Sequence, residues 1–315
     1  MPRLSRATPI CTSITKDLGK RIGAAVSALD HSRLTDQRVH QARKELKKAR
    51  SSLRLLRPGL QDAVYRLENA ALRDAARPLS TVRDAKVLLD TLQALADGHG
   101  APARALKLGG FKKTLKSRRL RSRRLILGTA AAAIAHSRHL LHQARRRIED
   151  LKRHQGDDWS IVGKGLKRIY VLGRRALAEA RDRQTPVAFH EWRKQAKHLR
   201  YALELLRPLR PALIGELAEL TRRLSDYLGD EHDLTVLREA ALADRKSFVD
   251  NTALCAFLAL IDQRQIELRE MALCLGSGLY EDRPKVFAKR FGRYRQEWCN
   301  KDLPARSTRR PAQAH

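Results

Sequence analysis

Residues 39–58 read VHQARKELKKARSSLRLLRP, and residues 189–208 read FHEWRKQAKHLRYALELLRP. Laid over one another at an offset of 150 without gaps, they are identical at ten of twenty positions: His40/His190, Arg43/Arg193, Lys44/Lys194, Lys47/Lys197, Arg50/Arg200, Leu53/Leu203, Leu55/Leu205, Leu56/Leu206, Arg57/Arg207 and Pro58/Pro208. The match resumes downstream at an offset of 149. There Leu79 to Asp84, with Val87 and Leu88, meets Leu228 to Asp233, with Val236 and Leu237. A chain of 315 residues with a repeat near its half-length reads as two copies of one unit. The expected copies are 1–155 and 156–301, followed by a disordered basic tail over 302–315.

The unit reads as helical. Leu, Ala, Arg, Lys and Glu dominate, aromatics are only 5%, and period-2 alternation is hard to find. Apolar spacing predicts helices over 12–30, 36–57, 60–78, 82–96, 112–154, 159–182, 186–207, 211–228, 233–244, 248–275 and 284–299. Thr35 and Thr185 are candidate N-caps, and Pro186 suits a first helical position. Pro58 and Pro208 end the helices they follow. The expected fold is all-α: two tandem helical-bundle repeats about a pseudo-twofold axis, burying their apolar faces together.

At about 100° per residue, His40, Arg43, Lys44, Lys47, Arg50 and Arg54 fall in one stripe. Ala42, Leu46, Ala49, Leu53 and Leu56 fall opposite, as a core face. In the second copy His190, Arg193, Lys194, Lys197 and Arg200 form the stripe, and Trp192, Ala196, Leu199, Leu203 and Leu206 the core face. Cations three and four residues apart repel by a few tenths of a kcal/mol per pair. A stripe opposite an apolar face is commonly just a solvated surface. Solvation needs only polarity, however, whereas here the same His, Arg and Lys recur at matched positions. An anion seated on the stripe explains that recurrence.

The whole chain points the same way. Lys plus Arg is 65 against 34 Asp plus Glu, a net charge of +31. Such a field attracts polyanions: nucleic acid, an anionic membrane or polyphosphate. Residues 98–148 contain no Asp or Glu, yet fourteen Lys or Arg, among them Lys112, Lys113 and Lys116. The apolar stretch Leu125 to Ala135 is too short to span a bilayer and reads as a core helix segment. Met1 to Lys20 has no secretory pattern. Cys11, Cys255, Cys274 and Cys299 form no Cys-x-x-Cys pair, so a reducing cytosol is expected and no metal site.

The doubled pattern His-x-x-Arg-Lys-x-x-Lys-x-x-Arg, with Arg200-Tyr201 and Leu203-Glu204-Leu205-Leu206, resembles the CHAD domain, the conserved histidine α-helical domain. The resemblance extends to Leu228-Gly229 with Asp233, to Asp84, to Gly165-Leu166-Lys167-Arg168-Ile169-Tyr170 and to Gly173-Arg174-Arg175, and covers roughly 10–300. It implies two helical bundles with a basic cavity or pore between them, binding of inorganic polyphosphate, and association with cytosolic polyphosphate granules. The implied binding residues are the two stripes with Arg54 and Tyr201. Lys167 and Arg174 ahead of the second motif, and Lys289 and Arg293 near the C-terminus, extend the basic surface.

No enzyme is expected. Asp230-Glu231-His232-Asp233 does not place its four groups on one helical face, and Asp233 and Asp84 read as helix-capping residues. His190-Glu191 lacks the second histidine of a zinc protease. No P-loop, dinucleotide fingerprint or Glu-x-Glu-x-Lys signature of triphosphate-tunnel enzymes occurs, so no cofactor is expected. The alternative is a nucleic-acid binder competing as a polyanion, which the scarcity of stacking aromatics disfavours. A phosphohydrolase ranks last.

Overall fold

Thr35 and Thr185 open the two motif helices in the same way. Each sits in extended backbone, and its side chain accepts a hydrogen bond from the amide three residues on, Arg38 and Ala188. Each helix then runs 21 residues and exits through a 3-10 turn carrying the matched proline, Arg57–Gly59 and Arg207–Leu209. Proline lacks the amide an α-helix would need there.

The computed structural model describes residues 4–6, 8–31, 34–98, 106, 108–128, 130–151 and 159–300, with the side chains of all but 80–85, 122–128 and 130. The tail 302–315 therefore lies outside the described residues, as do the side chains of Arg83 and Asp84. The helices are α1 (Ile10–Leu29), α2 (Asp36–Leu56), α3 (Asp62–Ala76), α4 (Ser80–Gly98), α5 (Gly109–Gly128), α6 (Ala130–Leu151), α7 (Trp159–Arg183), α8 (Pro186–Leu206), α9 (Pro211–Ala243), α10 (Asn251–Leu279) and α11 (Pro284–Asn300). No strand occurs among the described residues. The fold is all-α.

The order of packing recurs along the chain. α1 packs on α2 as α7 packs on α8, α2 on α3 as α8 on α9, α4 on α5 as α9 on α10, and α1 on α6 as α7 on α11. The predicted core faces are buried in both copies: Ala42, Leu46, Ala49, Leu53 and Leu56, and Trp192, Ala196, Leu199, Leu203 and Leu206. The cores themselves cross the repeat boundary. One joins α1, α2, α3 and α6 to α7, α8, α11 and the first half of α9. The other joins α4 and α5 to α10 and the second half of α9. Burial of this apolar surface is the main favourable contribution to the fold.

Gly165 sets the closest of these approaches. A Cβ there would stand 2.2 Å from the Leu55 carbonyl oxygen, so only glycine lets α7 cross α2 at this depth. Carboxylates lock the other seams. Asp17 and Glu45 both accept from Arg21, joining α1 to α2. Glu68 of α3 pairs with Arg147 of α6, and Glu231 of α9 with Arg269 of α10 at 2.6 Å. All four of these carboxylates are buried, against structural arginines.

Three expectations are corrected. Residues 211–228 and 233–244 form one helix, α9, because the buried stripe Leu224, Leu228, Glu231, Leu234, Leu237 runs straight through Gly229 at helical spacing. Glu231 sits in that stripe as a buried carboxyl group whose Oε1 accepts from Arg269 and Gln265. Asp233 is therefore mid-helix and caps nothing. The single helix expected over 112–154 is two elements, α5 and α6, with residue 129 outside the described residues. The segment expected as core over 125–135 lies largely outside the described side chains; of its residues 131–135, Ile134 is buried.

Candidate anion-binding cavity

The cation stripes of the two copies meet. A cavity of about 350 Å³ is lined by His40, Arg43, Lys44 and Lys47 of α2 and by Arg193, Lys197, Arg200 and Tyr201 of α8. Its third wall is α9, which contributes Ser225, Asp226, Gly229, Asp230 and Asp233. The geometry follows from the helix–helix contacts: α2 packs directly on α8, and α9 on α8, so the polar faces of all three turn toward one space.

The lining is held in place. Arg43 Nη1 donates to the Leu79 carbonyl at 2.7 Å. Arg200 Nε donates to Glu204 at 3.0 Å, and its Nη1 stands 3.7 Å from Asp226. The guanidinium of Arg200 and the ammonium of Lys48 both lie against the Tyr201 ring, 5.6 and 5.8 Å from its centroid. Guanidinium and ammonium donors converging on a polar cavity are what charge-assisted binding of phosphate oxygens requires.

Eight of the sixteen residues singled out in the sequence line this cavity. Arg50 and Arg54 do not. The turn at Arg57–Gly59 brings α3 back over the end of α2, and Asn69 of α3 accepts from Arg50 Nε at 3.1 Å and from Arg54 Nη1 at 3.5 Å. Desolvation in that seam lowers both guanidinium groups, Arg54 to about 10, so both still carry charge at neutral pH. His190 does not line the cavity either: its Nδ1 is 3.1 Å from Nδ1 of His232, with the rings 4.3 Å apart. Burial, then Arg193 and Lys194, holds its pKa below the ordinary histidine value. Lys194 is turned to Glu191. Lys167, Arg174, Lys289 and Arg293 lie on α7 and α11, outside the cavity, and Arg174 donates to the Asp282 carbonyl.

The sequence reading missed the α9 wall. Its signal was the matched segment Leu228 to Asp233, which had been read as a helix start rather than as a face. His198 was missed as well. It replaces Lys48 in the second copy and shares a hydrogen bond with Ser51 at 3.1 Å across the α2–α8 seam. Desolvation, with Arg54, Arg50 and Lys194 nearby, pushes its pKa well down, so it stands there as a neutral ring.

Fold and cavity together define an all-helical protein with a polar space bounded by α2, α8 and α9 and cationic on its α2 and α8 sides. The sequence pattern of the CHAD domain matches residues 18–242, and the chain belongs to that family. Two solved structures share the fold. PptA from Streptomyces chartreusis is 16% identical with a TM-score of 0.58, over 87% of this chain and 100% of that one. The CHAD domain from the plant Ricinus communis is 16% identical with a TM-score of 0.59, over 90% of this chain and 95% of that one. No curated protein matches the chain in sequence. Among the described residues no helix is long and apolar enough to cross a membrane, and no group of three metal-ligating side chains is gathered.

Proposed function

We propose that this protein binds inorganic polyphosphate in the α2–α8–α9 cavity, without chemistry on the ligand, and acts at cytosolic polyphosphate granules. One observation carries the reading: His40, Arg43, Lys44 and Lys47 share a cavity with Arg193, Lys197 and Arg200, although 150 residues separate the two motifs. Membership of the CHAD family supports it. A pseudo-twofold relation between 1–155 and 156–301 gives the simplest account of the recurring packing order. Polyphosphate is a flexible chain with about one charge per unit, no bases to stack and no groove to fit, so it needs donors and little else. Tyr201 is the one aromatic side chain in the lining, which gives single-stranded nucleic acid little to stack on.

The test is competition between labelled long-chain polyphosphate and single-stranded RNA of equal charge, at matched physiological salt, because electrostatic affinities depend steeply on salt. Polyphosphate is expected to bind tighter. Equal or tighter binding of RNA moves the assignment to nucleic acid. Release of orthophosphate from the bound chain, with or without magnesium, overturns the reading of a binding protein.

A further inference from the structure

The α9 wall of the cavity is acidic, which is not what a simple anion receptor needs. Asp226, Asp230 and Asp233 lie four and three residues apart, on one face of the helix, and all three line the cavity. The matched segment of the first copy does not share this feature. At the offset of 149, Asp226 corresponds to Arg77 and Asp230 to Thr81, and only Asp233 has an acidic counterpart in Asp84. Arg77 lies in the turn between α3 and α4 and Thr81 in the first turn of α4, so the carboxylates at 226 and 230 are a property of the second copy alone.

Their surroundings differ. Asp226 is engaged by Arg222 at 2.7 Å and stands near Arg200. Asp230 is open to the cavity and also faces a second one, of about 570 Å³, on the other side. That second space carries Asp90 of α4 and Glu267 of α10, with Arg264, itself paired to Glu267 at 2.6 Å. In the first cavity Asp230 looks across to His40, Arg43, Lys44 and Lys47 of α2 and to Arg193, Lys197 and Arg200 of α8; Lys86 of α4 lines the adjoining space beside His40. Partial desolvation and the like charges of Asp233 and Asp226 hold the Asp230 carboxyl above the ordinary aspartate range, against the pull of Arg264 and Arg193.

We infer that Asp230, set between Asp226 and Asp233, is a proton-linked gate of the polyanion cavity: the bound anion and the proton on this wall are taken up together. This rests on the reading of the cavity as a polyphosphate site. A phosphate chain held by α2 and α8 brings fresh negative charge against α9 and displaces its water. Both effects disfavour a carboxylate and favour its neutral acid. Linkage then fixes the sign. The complex binds more protons than the free protein, so affinity rises as pH falls. The gate is open to anion under mildly acidic conditions and resists it when the wall is fully charged.

The experiment is titration calorimetry with long-chain polyphosphate from about pH 8 to about 5.5, repeated in buffers of different ionisation heat to count protons. Wild type is expected to tighten by about tenfold for each unit by which binding raises the pKa of the wall, with net proton uptake. Asp230→Asn is expected to bind about tenfold tighter than wild type at pH 8, with a flatter profile and less proton uptake. Asp230→Thr, which installs the residue of the first copy, is expected to do the same and serves if the Asn variant fails to fold by circular dichroism. His40 is a second ionisable side chain in the same lining, so the comparison is repeated in a His40→Gln background, where the effect of Asp230→Asn must persist. Binding by wild type together with an unchanged slope and proton count in both Asp230 variants overturns the gate and leaves the polyphosphate reading standing. Absence of wild-type binding at every pH overturns both.

Discussion

α2 and α8 share a length, an N-cap and an exit turn, yet they offer different parts of one motif to the cavity. α2 contributes its first half, His40 to Lys47, and has Arg50 and Arg54 folded under α3. α8 contributes its middle, Arg193 to Tyr201, and has His190 turned to His232. The shift follows from what folds back over each helix. α3 ends at Ala76 and covers the C-terminal turns of α2, whereas α9 continues past the same point and brings its Asp226 to Arg200. A duplicated motif preserves the spacing of charges. Which of them reach a ligand is decided by the neighbouring element.

The largest effect expected from this comparison concerns the core. Ala42 and Trp192 hold matched positions and both are without exposure. Trp192 fills its side by lying over Gly276, where a Cβ would come within 2.4 Å of the indole. Trp192→Ala leaves a large cavity and is expected to cost about 3–5 kcal/mol in denaturant unfolding. A cost below about 1 kcal/mol would show that the second copy tolerates the small residue of the first and that the two cores are packed alike.

Next in size is binding. Reversal of Arg43, Lys44 and Lys47 to Glu removes cations that line the cavity, and so does reversal of Arg193, Lys197 and Arg200. Each triple variant is expected to weaken polyphosphate by at least about 100-fold, since charge-assisted bonds are worth about 1.5–3 kcal/mol each. Titration calorimetry reads the loss, and circular dichroism should stay helical because these positions lie opposite the buried leucines. Full affinity in one triple variant would mean that a single copy holds the ligand.

The residues behind these effects were unevenly legible in the sequence. Helical period identified the core faces and the cation stripes, and Thr35, Thr185, Pro58 and Pro208 gave the ends of both motif helices, because caps and breakers act locally. The fate of Arg50 and Arg54 depends on Asn69, which reaches them only after the chain reverses at Gly59. The continuity of α9 depends on Glu231 finding Arg269 some 38 residues away. A polar residue in an apolar stripe looks like a break until its partner is seen. The acidic wall was in plain view as Asp226, Asp230 and Asp233, but a separate helix start at 233 hid the face they share.

A smaller effect separates Lys48 from His198, the matched pair at the α2–α8 seam. Lys48 pairs with Glu204 at 3.6 Å. His198 is neutral, with its pKa well below the unfolded value near 6.5. Between those two values the unfolded chain binds the extra proton, so stability is complete above about pH 6.5 and falls as pH drops below it. The expected slope is about 1.4 kcal/mol per pH unit for one such histidine. His190 adds to it in the same direction. Urea unfolding from about pH 7.5 to about 5 measures the slope, and His198→Gln is expected to remove its larger part. An unchanged slope in that variant would place the titration at His190 instead.

The smallest effect is expected where charge is densest and no sequence motif is repeated. Lys112, Lys113 and Lys116 of α5 belong to the acid-free segment 98–148, are exposed, and lie outside the cavity. Lys112 donates to Gln93 at 3.1 Å, and the neighbouring Arg119 reaches Asp36 at 3.4 Å, so this face of α5 is occupied with holding α4 and α2. Its remaining charge contributes to the overall field, and that field is screened beyond about 8 Å at physiological salt. Reversal of all three to Glu is therefore expected to lower polyphosphate affinity by no more than about threefold at physiological salt, with a larger loss at low salt and most of it in the association rate. The stripe variants should behave otherwise, losing affinity at every salt concentration and mainly through faster dissociation. If the α5 variant loses affinity while both stripe variants bind like wild type, the ligand lies on the acid-free segment, and the cavity between the two motifs is a structural feature with another cause.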